Sequence, residues 1–161
     1  MKQLWAPWRM EFIAEAPKHG DCVFCGLLRA GENEKTLILH RDSRVFAVLN
    51  KYPYNNGHLM VVPNAHVADF TQLEDDDLVA LSRLAKASVR ILKEVYKPEG
   101  FNLGMNLGTS AGAGIKDHLH LHIVPRWLGD TNFMPVLADT KSMPQHLSAS
   151  YRELVDHFGR L

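Results

Sequence analysis

HLHLHIVPR (118–126) places three of the nine histidines of this 161-residue chain at alternate positions. Side chains at every second position of a β-strand point to the same face, roughly 7 Å apart. The segment therefore predicts a strand with His118, His120 and His122 on one face and apolar residues packed under a helix on the other. Clustered imidazoles repel one another when protonated and cost desolvation when buried, so folding alone does not favour them. We interpret this face as a functional site.

The rest of the chain predicts further strands and two helices. Apolar runs at 36–40, 44–50, 58–63 and 101–108 are typical of β-strands. Helical spacing of Leu and Ala extends from a capping-box pair, Thr71 and Glu74, to Pro98, about seven turns. The tail from Met143 onward is typical of another helix. No repeat or linker divides the sequence, so we expect residues 1–161 to form a single domain.

The composition excludes several classes of protein. Hydrophobic residues make up 46% and charged residues 22%, as in globular domains. Eighteen basic and eighteen acidic residues balance, which argues against nucleic-acid partners and acidic membrane surfaces. No apolar run reaches the roughly 20 residues of a membrane span, and the charged MKQLWAPWRMEF is unlike a signal peptide. We therefore expect a cytoplasmic protein. The acidic run EDDD (74–77) is expected to be solvated in the first turn of a helix, where the helix dipole favours acidic residues.

The histidine face suits two kinds of chemistry, which are metal ligation and nucleophilic or acid–base catalysis near neutral pH. SAGAGIKD (110–117) precedes it and supplies Gly112 and Gly114, whose backbone N–H groups can approach an anion closely. That combination suggests a phosphate held against an imidazole. Near the N-terminus, the two cysteines are spaced CVFC (22–25), which indicates a metal knuckle or a redox pair.

HLHLHIV (118–124) resembles the signature of the histidine triad (HIT) nucleotide-binding proteins, in which three histidines alternate with apolar residues. The similarity continues through CVFC (22–25), FAVLN (46–50), GHLMVVPNAH (57–66) and NLGTSAGAGIKDHLHLHIVPRW (106–127). LWAPWRM (4–10) and GDTNFMPVL (129–137) are most similar to the branch that contains diadenosine tetraphosphate phosphorylases. The resemblance implies an α+β fold, with a mainly antiparallel sheet of about five strands, a long helix packed across it and a C-terminal helix, usually assembled as a homodimer.

The resemblance also implies roles for individual residues. His120 would attack the α-phosphorus and carry a nucleotidyl intermediate, His122 would hold the α-phosphate oxygens, and His58 would support the triad from the neighbouring strand. Asn50 would bind the ribose hydroxyls. The remaining contacts to base and phosphate are implied for Phe46, Val48, Asn106, Gly112, Gly114 and Ile115. Gly114 and Ile115 occupy a stretch where hydrolases of the family commonly carry a hydroxyl residue. The sequence departs from the hydrolases there, so the resemblance does not imply how the leaving group is handled.

Zinc-binding relatives imply a structural Zn²⁺ for this chain as well. Its ligands would be Cys22, Cys25, His66 and His118. Two thiolates and two imidazoles make a closed tetrahedral site, which is typical of structural rather than catalytic zinc. One imidazole of the row would then serve the metal and two would serve catalysis.

We therefore expect a nucleotidyl hydrolase or transferase that acts on an adenine nucleotide or a dinucleoside polyphosphate such as diadenosine tetraphosphate. His122 stands where nucleotidyltransferase relatives commonly have glutamine, which favours hydrolysis, whereas the flanking motifs favour phosphorolysis. Two other hypotheses remain open. One is a nucleotide-binding or sensing protein with incidental slow hydrolysis, and the other is a zinc-dependent hydrolase with an open metal site.

Overall fold

The computed structural model describes residues 22–130, 143 and 145–161, which form one antiparallel sheet and its covering helices. The strands lie in the order β1-β2-β3-β5-β4. Their bounds are β1 Ile38–Arg41, β2 Val45–Leu49, β3 Leu59–Pro63, β4 Gly100–Gly104 and β5 Leu121–Arg126. The helices are α1 Val23–Ala30, α2 Asp75–Tyr96 and α3 Leu147–Phe158, with short 3-10 helices at Phe70–Gln72 and Thr109–Ala111. This architecture confirms the α+β fold that the sequence predicts.

The sheet separates two hydrophobic clusters because successive side chains of a strand point to opposite faces. All five residues of β2 are buried. Val45, Ala47 and Leu49 pack beneath α2 and α3, whereas Phe46 and Val48 pack with Phe24 of α1 on the other face. Two helices therefore cover one face, and α1 covers only part of the second.

The alternation predicted for the histidine strand is confirmed within β5. Leu121 and Ile123 pack with the cluster under α2 and α3, while His122 pairs with Met60 of β3, a member of the cluster around α1. The regular strand begins at Leu121 rather than at residue 118. The residues before it pair with a loop instead, as the Leu119 N–H donates to the Val67 carbonyl oxygen at 2.7 Å.

Turn residues fix the strand boundaries on either side. In the β1–β2 hairpin, the Asp42 carboxylate accepts hydrogen bonds from the Arg44 and Val45 N–H groups at 2.7 and 2.8 Å. Such side-chain capping of a turn is typical of Asp. At the opposite edge, β4 ends at Gly104 instead of extending to residue 108 as predicted. The chain then turns at Gly108, whose φ of 77° is a left-handed conformation.

The long helix α2 spans 22 residues, about six turns rather than seven. The capping box predicted for it is wrong, since Glu74 is the N-cap and makes no side-chain capping bond. Thr71 belongs to the preceding 3-10 helix, where its N–H donates to the Asp69 carboxylate. The helix ends at Tyr96, and its C-cap Lys97 adopts a left-handed conformation immediately before Pro98.

Several sequence predictions fall partly outside the described residues. LWAPWRM lies wholly outside them, and GDTNFMPVL is described only for Gly129 and Asp130. The helix predicted from Met143 onward begins at Leu147, after His146, whose side chain accepts a hydrogen bond from the Ser148 N–H. Within the described ranges, no helix combines the length and the apolar character needed to span a lipid bilayer.

Candidate active site and metal-binding cluster

His118 occupies the start of the histidine row, where its side chain is almost completely buried. Its Nε2 lies 2.8 Å from the Pro63 carbonyl oxygen, so Nε2 carries the ring proton and donates it. The lone pair at Nδ1 then faces the thiols, at 3.1 Å from Cys22 Sγ and 3.7 Å from Cys25 Sγ. Burial lowers the pKa of His118, which favours the neutral ring that binds metal ions.

Cys22, Cys25, His66 and His118 form a compact cluster of potential metal ligands, whose donor atoms all lie within 4.8 Å of one another. Cys25 Sγ lies 3.4 Å from His66 Nδ1. Ligands of tetrahedral zinc lie roughly 3.3–3.8 Å apart, given bond lengths of about 2.0 Å to nitrogen and about 2.3 Å to sulfur. The separations of 3.4 and 3.7 Å lie within this range, and the Cys22–His118 separation of 3.1 Å is about 0.2 Å shorter. A small shift of one side chain would bring all three to the spacing of a zinc site. The four residues predicted as ligands are thus brought together from α1, the loop after β3 and the segment before β5.

His120 is fixed by the residue that precedes it in the row. Its Nδ1 donates to the His118 carbonyl oxygen at 2.8 Å, which leaves the lone pair on Nε2. Burial lowers the pKa of His120, against the opposing effect of that hydrogen bond. The ring is 5% exposed and lines a small pocket. A neutral imidazole with its lone pair directed away from the backbone is the form required of a nucleophile.

His58 and His122 form a hydrogen-bonded pair that starts from the backbone. The Tyr54 N–H donates to His58 Nδ1 at 3.0 Å, so a neutral His58 carries its proton on Nε2. That nitrogen lies 3.0 Å from His122 Nδ1. His122 Nδ1 therefore accepts, and its own proton is on Nε2. The Nε2 of His122 is thus a hydrogen-bond donor, whereas the Nε2 of His120 carries a lone pair. The centroids of the two rings are 4.9 Å apart.

A cleft of about 770 Å³ opens beside α1. One wall is an apolar face of α1 and the facing wall comes from the sheet. The lining includes Val23, Phe24, Leu27, Leu37, Val48 and Met60 together with Asn50, Lys51 and Tyr52. A cleft lined by apolar side chains together with polar groups is typical of a site for a small organic ligand.

A smaller pocket of about 70 Å³ adjoins the cleft and shares residues with it, among them Asn50, Tyr52, Met60 and Ile115. Its lining also includes His120 and His122 together with Asn106, Gly112 and Gly114. Gly112 has a φ of 85°, which few residues other than glycine adopt. The turn predicted to cradle an anion therefore lines the same pocket as the two imidazoles.

Two comparisons place the chain among known proteins. Residues 30–127 match the HIT domain. An AP-4-A phosphorylase of Mycobacterium tuberculosis is 40% identical over 168 residues, which cover 99% of this chain and 86% of that protein. The chain belongs to the HIT family. The name of this relative agrees with the resemblance of the flanking motifs to the diadenosine tetraphosphate phosphorylase branch.

Solved HIT structures agree with the observed fold. A hypothetical histidine triad nucleotide-binding protein from Sulfolobus tokodaii has a TM-score of 0.69 and 28% identity, over 87% of this chain and 93% of that one. A Zn-bound histidine triad family protein from Mycobacterium smegmatis has the same TM-score at 24% identity, over 87% and 94% of the two chains. The five-stranded sheet is therefore the HIT fold.

Most residues that the HIT resemblance singles out are close together in the structure. Those lining the smaller pocket are Asn50, Asn106, Gly112, Gly114, Ile115, His120 and His122. Val48 lines the larger cleft, and His58 lies behind His122. Phe46 is completely buried and is not among the lining residues, since it packs beneath the cleft against Phe24. Its role as a base contact is indirect at most.

The contributions of α1 and of two tyrosines to the site were not predicted from the sequence. Val23, Phe24 and Leu27 line the cleft, although only the flanking cysteines were predicted to be functional. The signal was present, because apolar residues at positions 23, 24 and 27 share one helical face. Tyr52 and Tyr54 line the small pocket, and the Tyr54 ring stacks on His122 at 6.0 Å. The KYPYNNGH segment gave no pattern that distinguishes this role from an ordinary turn.

Proposed function

We propose that this HIT protein is a nucleotidyl hydrolase or transferase that cleaves at the α-phosphate of an adenine nucleotide through a nucleotidyl-histidine intermediate on His120. The observation that carries the proposal is the 2.8 Å hydrogen bond from His120 Nδ1 to the His118 carbonyl oxygen. It holds the proton on the nitrogen that faces the backbone. The nitrogen with the lone pair is therefore the one available to attack phosphorus.

The reaction would proceed in two displacements. His120 Nε2 attacks the α-phosphorus, an N–P bond forms, and the leaving oxygen departs with the electron pair of the broken P–O bond. His122 donates its Nε2 proton in a hydrogen bond to a phosphate oxygen and stabilises the charge that develops there. An acceptor oxygen, from water or from inorganic phosphate, then forms a new P–O bond and returns the electron pair to His120. The proton of the acceptor leaves to solvent.

The shape and polarity of the cleft support a nucleotide with the base beside α1. The apolar residues of α1 and Val48 would contact the base, and Asn50 stands between the cleft and the smaller pocket, where a ribose would lie. The α-phosphate would then sit between the imidazoles and the Gly112 turn. The relative named AP-4-A phosphorylase supports a dinucleoside polyphosphate as the substrate.

The Cys22, Cys25, His66 and His118 cluster is proposed to hold a structural zinc ion. When bound, zinc would supply a cross-link between α1, the loop after β3 and the histidine row. All four donors come from protein, so the site is closed. His120 and His122 are not members of this cluster, which argues against the hypothesis of a hydrolytic metal held by all three histidines of the row.

The decisive experiment is incubation with diadenosine tetraphosphate, with and without inorganic phosphate, followed by identification of the products. Hydrolysis at the α-phosphate yields AMP and ATP, whereas phosphorolysis yields ADP and ATP only when phosphate is present. The His120→Asn variant should lose turnover by roughly a thousandfold or more while it still binds AMP. Turnover that survives this substitution would exclude the covalent mechanism. Nucleotide binding without turnover by the unmodified protein would favour the sensing hypothesis.

Two expectations stay predictions, one from the family resemblance and one from the sequence composition. One is a homodimer, which sedimentation velocity at several protein concentrations would measure. The other is a cytoplasmic location, which fractionation of the source cells would measure.

A further inference from the structure

Phe24 connects the metal-binding cluster to the proposed nucleophile. It lies between the two cysteines of the knuckle and its side chain is 1% exposed. Its ring centroid is 5.3 Å from that of His118 and 5.2 Å from that of His120, so one aromatic ring contacts a metal ligand and the nucleophile together. The contact with His118 is edge-to-face and that with His120 is tilted, with interplanar angles of 70° and 48°. Ring contacts at such distances stabilise a defined relative orientation of the rings.

The backbone provides a second connection between the same two places. His118 directs Nδ1 toward Cys22 Sγ at 3.1 Å, while its carbonyl oxygen accepts the hydrogen bond that orients His120. The side chain of one residue therefore belongs to the metal cluster while its peptide group positions the nucleophile. A shift of His118 would move both.

The helix that carries the cysteines is also a wall of the cleft. Val23 and Leu27 of α1 line it together with Phe24. The helix has only eight residues, and its N-cap, Cys22, makes no side-chain capping bond. Helices this short are marginal by themselves, so the position of α1 depends on its tertiary attachments. The packing of Phe24 and the cluster of the two cysteines are two such attachments.

We propose that Phe24 is a positioning residue which couples occupancy of the Cys22, Cys25, His66 and His118 site to the orientation of His120 and to the adjoining cleft wall. Metal and nucleotide then bind with positive coupling. Metal ligation fixes the cysteines on both sides of Phe24, the ring holds the imidazole, and α1 presents its apolar face to the base. This inference rests on the proposed function, since it takes an adenine nucleotide as the ligand of the cleft.

The coupling is measured as a ratio of equilibrium constants, without any turnover. AMP is titrated by calorimetry into zinc-loaded protein and into the same protein after removal of zinc with a chelator. We expect AMP to bind the metal-free protein about tenfold more weakly, within the usual range of coupling between two sites. By thermodynamic reciprocity, AMP should raise the affinity for zinc by the same factor, measured with a competing chelator. Equal AMP affinity in both metal states would overturn the inference.

Variants of α1 separate coupling through Phe24 from a general loss of structure. Phe24→Leu keeps most of the buried volume but removes the flat ring, and we expect it to retain one zinc per chain while the coupling ratio falls toward one. Leu27→Ala is the matched control, because Leu27 lines the cleft from the same helix but has no aromatic ring to pack against the histidines. It should weaken AMP binding in both metal states and leave their ratio unchanged. If Phe24→Leu kept the same ratio of AMP affinities between its zinc-loaded and metal-free forms as the unmodified protein, Phe24 would be excluded as the connection.

Cobalt substitution keeps the test valid if the metal-free protein unfolds. Co²⁺ loaded into the site reports on its ligands through visible absorption, and AMP should shift these bands in the unmodified protein but not in Phe24→Leu. Unshifted bands at saturating AMP would overturn the coupling.

The Phe24→Leu variant should also lose kcat more than it changes KM for diadenosine tetraphosphate. Absence of AMP binding by the zinc-loaded protein would instead contradict the proposed function itself.

Discussion

His58 Nε2 lies 3.0 Å from His122 Nδ1, and the partner of His58 on its other side is the Tyr54 backbone N–H. A backbone amide can only donate, so the direction of both hydrogen bonds is fixed. The series runs from the Tyr54 N–H through His58 to His122 and ends with a proton on His122 Nε2. His58 is not among the residues that line the small pocket. Its hydrogen bond nevertheless determines which nitrogen of His122 carries the proton and can donate to a phosphate.

Replacement of His58 should therefore reduce catalysis through His122. Loss of a hydrogen bond to a group that carries charge in the transition state costs about 1.5–3 kcal/mol, so kcat for His58→Ala should fall roughly 10–100-fold. His58→Gln retains an amide N–H near the position of Nε2 and should recover part of the loss. Steady-state kinetics on both variants, with melting temperatures as the control for folding, checks this. Equal activity of His58→Ala and the unmodified protein would refute the role of His58.

Asn50 is expected to act in binding rather than in the chemical step. Its Oδ1 accepts a hydrogen bond from the Tyr52 N–H at 2.9 Å, which holds the amide beside His58 at the mouth of the small pocket. Asn50→Leu removes both the amide and this acceptor. We expect KM to rise about tenfold, the equivalent of about one net hydrogen bond, with a smaller change in kcat. Asn50→Asp keeps the acceptor, so its KM should lie between those of the unmodified protein and Asn50→Leu.

AMP affinity measured on the same Asn50 variants separates binding from chemistry. If kcat falls while AMP affinity is unchanged, Asn50 acts on the chemical step through His58 and the ribose contact is wrong.

Gly57 is a stability determinant immediately before His58. Its φ is 71°, and a Cβ at this position would lie 2.8 Å from a ring carbon of Tyr96. Gly57→Ala combines a left-handed conformation with that contact and should lower the free energy of unfolding by about 1–3 kcal/mol. Gly26→Ala in α1 is the control, since a Cβ added there would meet no heavy atom within 4 Å. Denaturant unfolding of both variants compares them, and an unchanged midpoint for Gly57→Ala would contradict the packing described.

The sequence was sufficient for the parts of the site that follow from a local period. Alternation along residues 118–124 predicted which residues face the helices and which face the cleft, and Leu121, His122 and Ile123 confirm it. The Cys and His positions of the metal cluster followed from the family pattern, and their donor atoms are indeed adjacent. Strand and helix ends were less well predicted, because a competing local contact decided them. Asp69 takes the Thr71 N–H that the capping box required.

The remainder of the site depends on contacts between residues distant in sequence. Phe24 lies 94 to 96 positions before the histidines whose rings it contacts, by subtraction of its number from those of His118 and His120. Nothing in CVFC alone specifies that packing. The protonation of His122 likewise depends on a backbone group of Tyr54 that has no sequence signature. The geometry of the sheet and of the KYPYNNGH turn was needed for both.

Asp77 and Asp76 provide a test of burial within one acidic run. The EDDD segment was expected to be solvated, but only part of it is, since the Asp77 side chain is 10% exposed and that of Asp76 is 77% exposed. Arg44 bonds to both, at 2.7 and 2.9 Å, and the Asp77 hydrogen bond is the largest cause of the raised pKa of Arg44.

Both carboxylates stand in the first turn of α2, so their interactions with the helix dipole are similar. Asp77→Ala should therefore lower the melting temperature more than Asp76→Ala, because a buried hydrogen-bonded carboxylate contributes more than an exposed one. Moderate salt should weaken the Asp76 effect more than the Asp77 effect, since screening acts mainly on exposed charges. Scanning calorimetry of the two variants at low and moderate ionic strength measures both differences. An equal fall in melting temperature for the two variants would mean that the burial of Asp77 adds no stability to the contact between α2 and the β1–β2 hairpin.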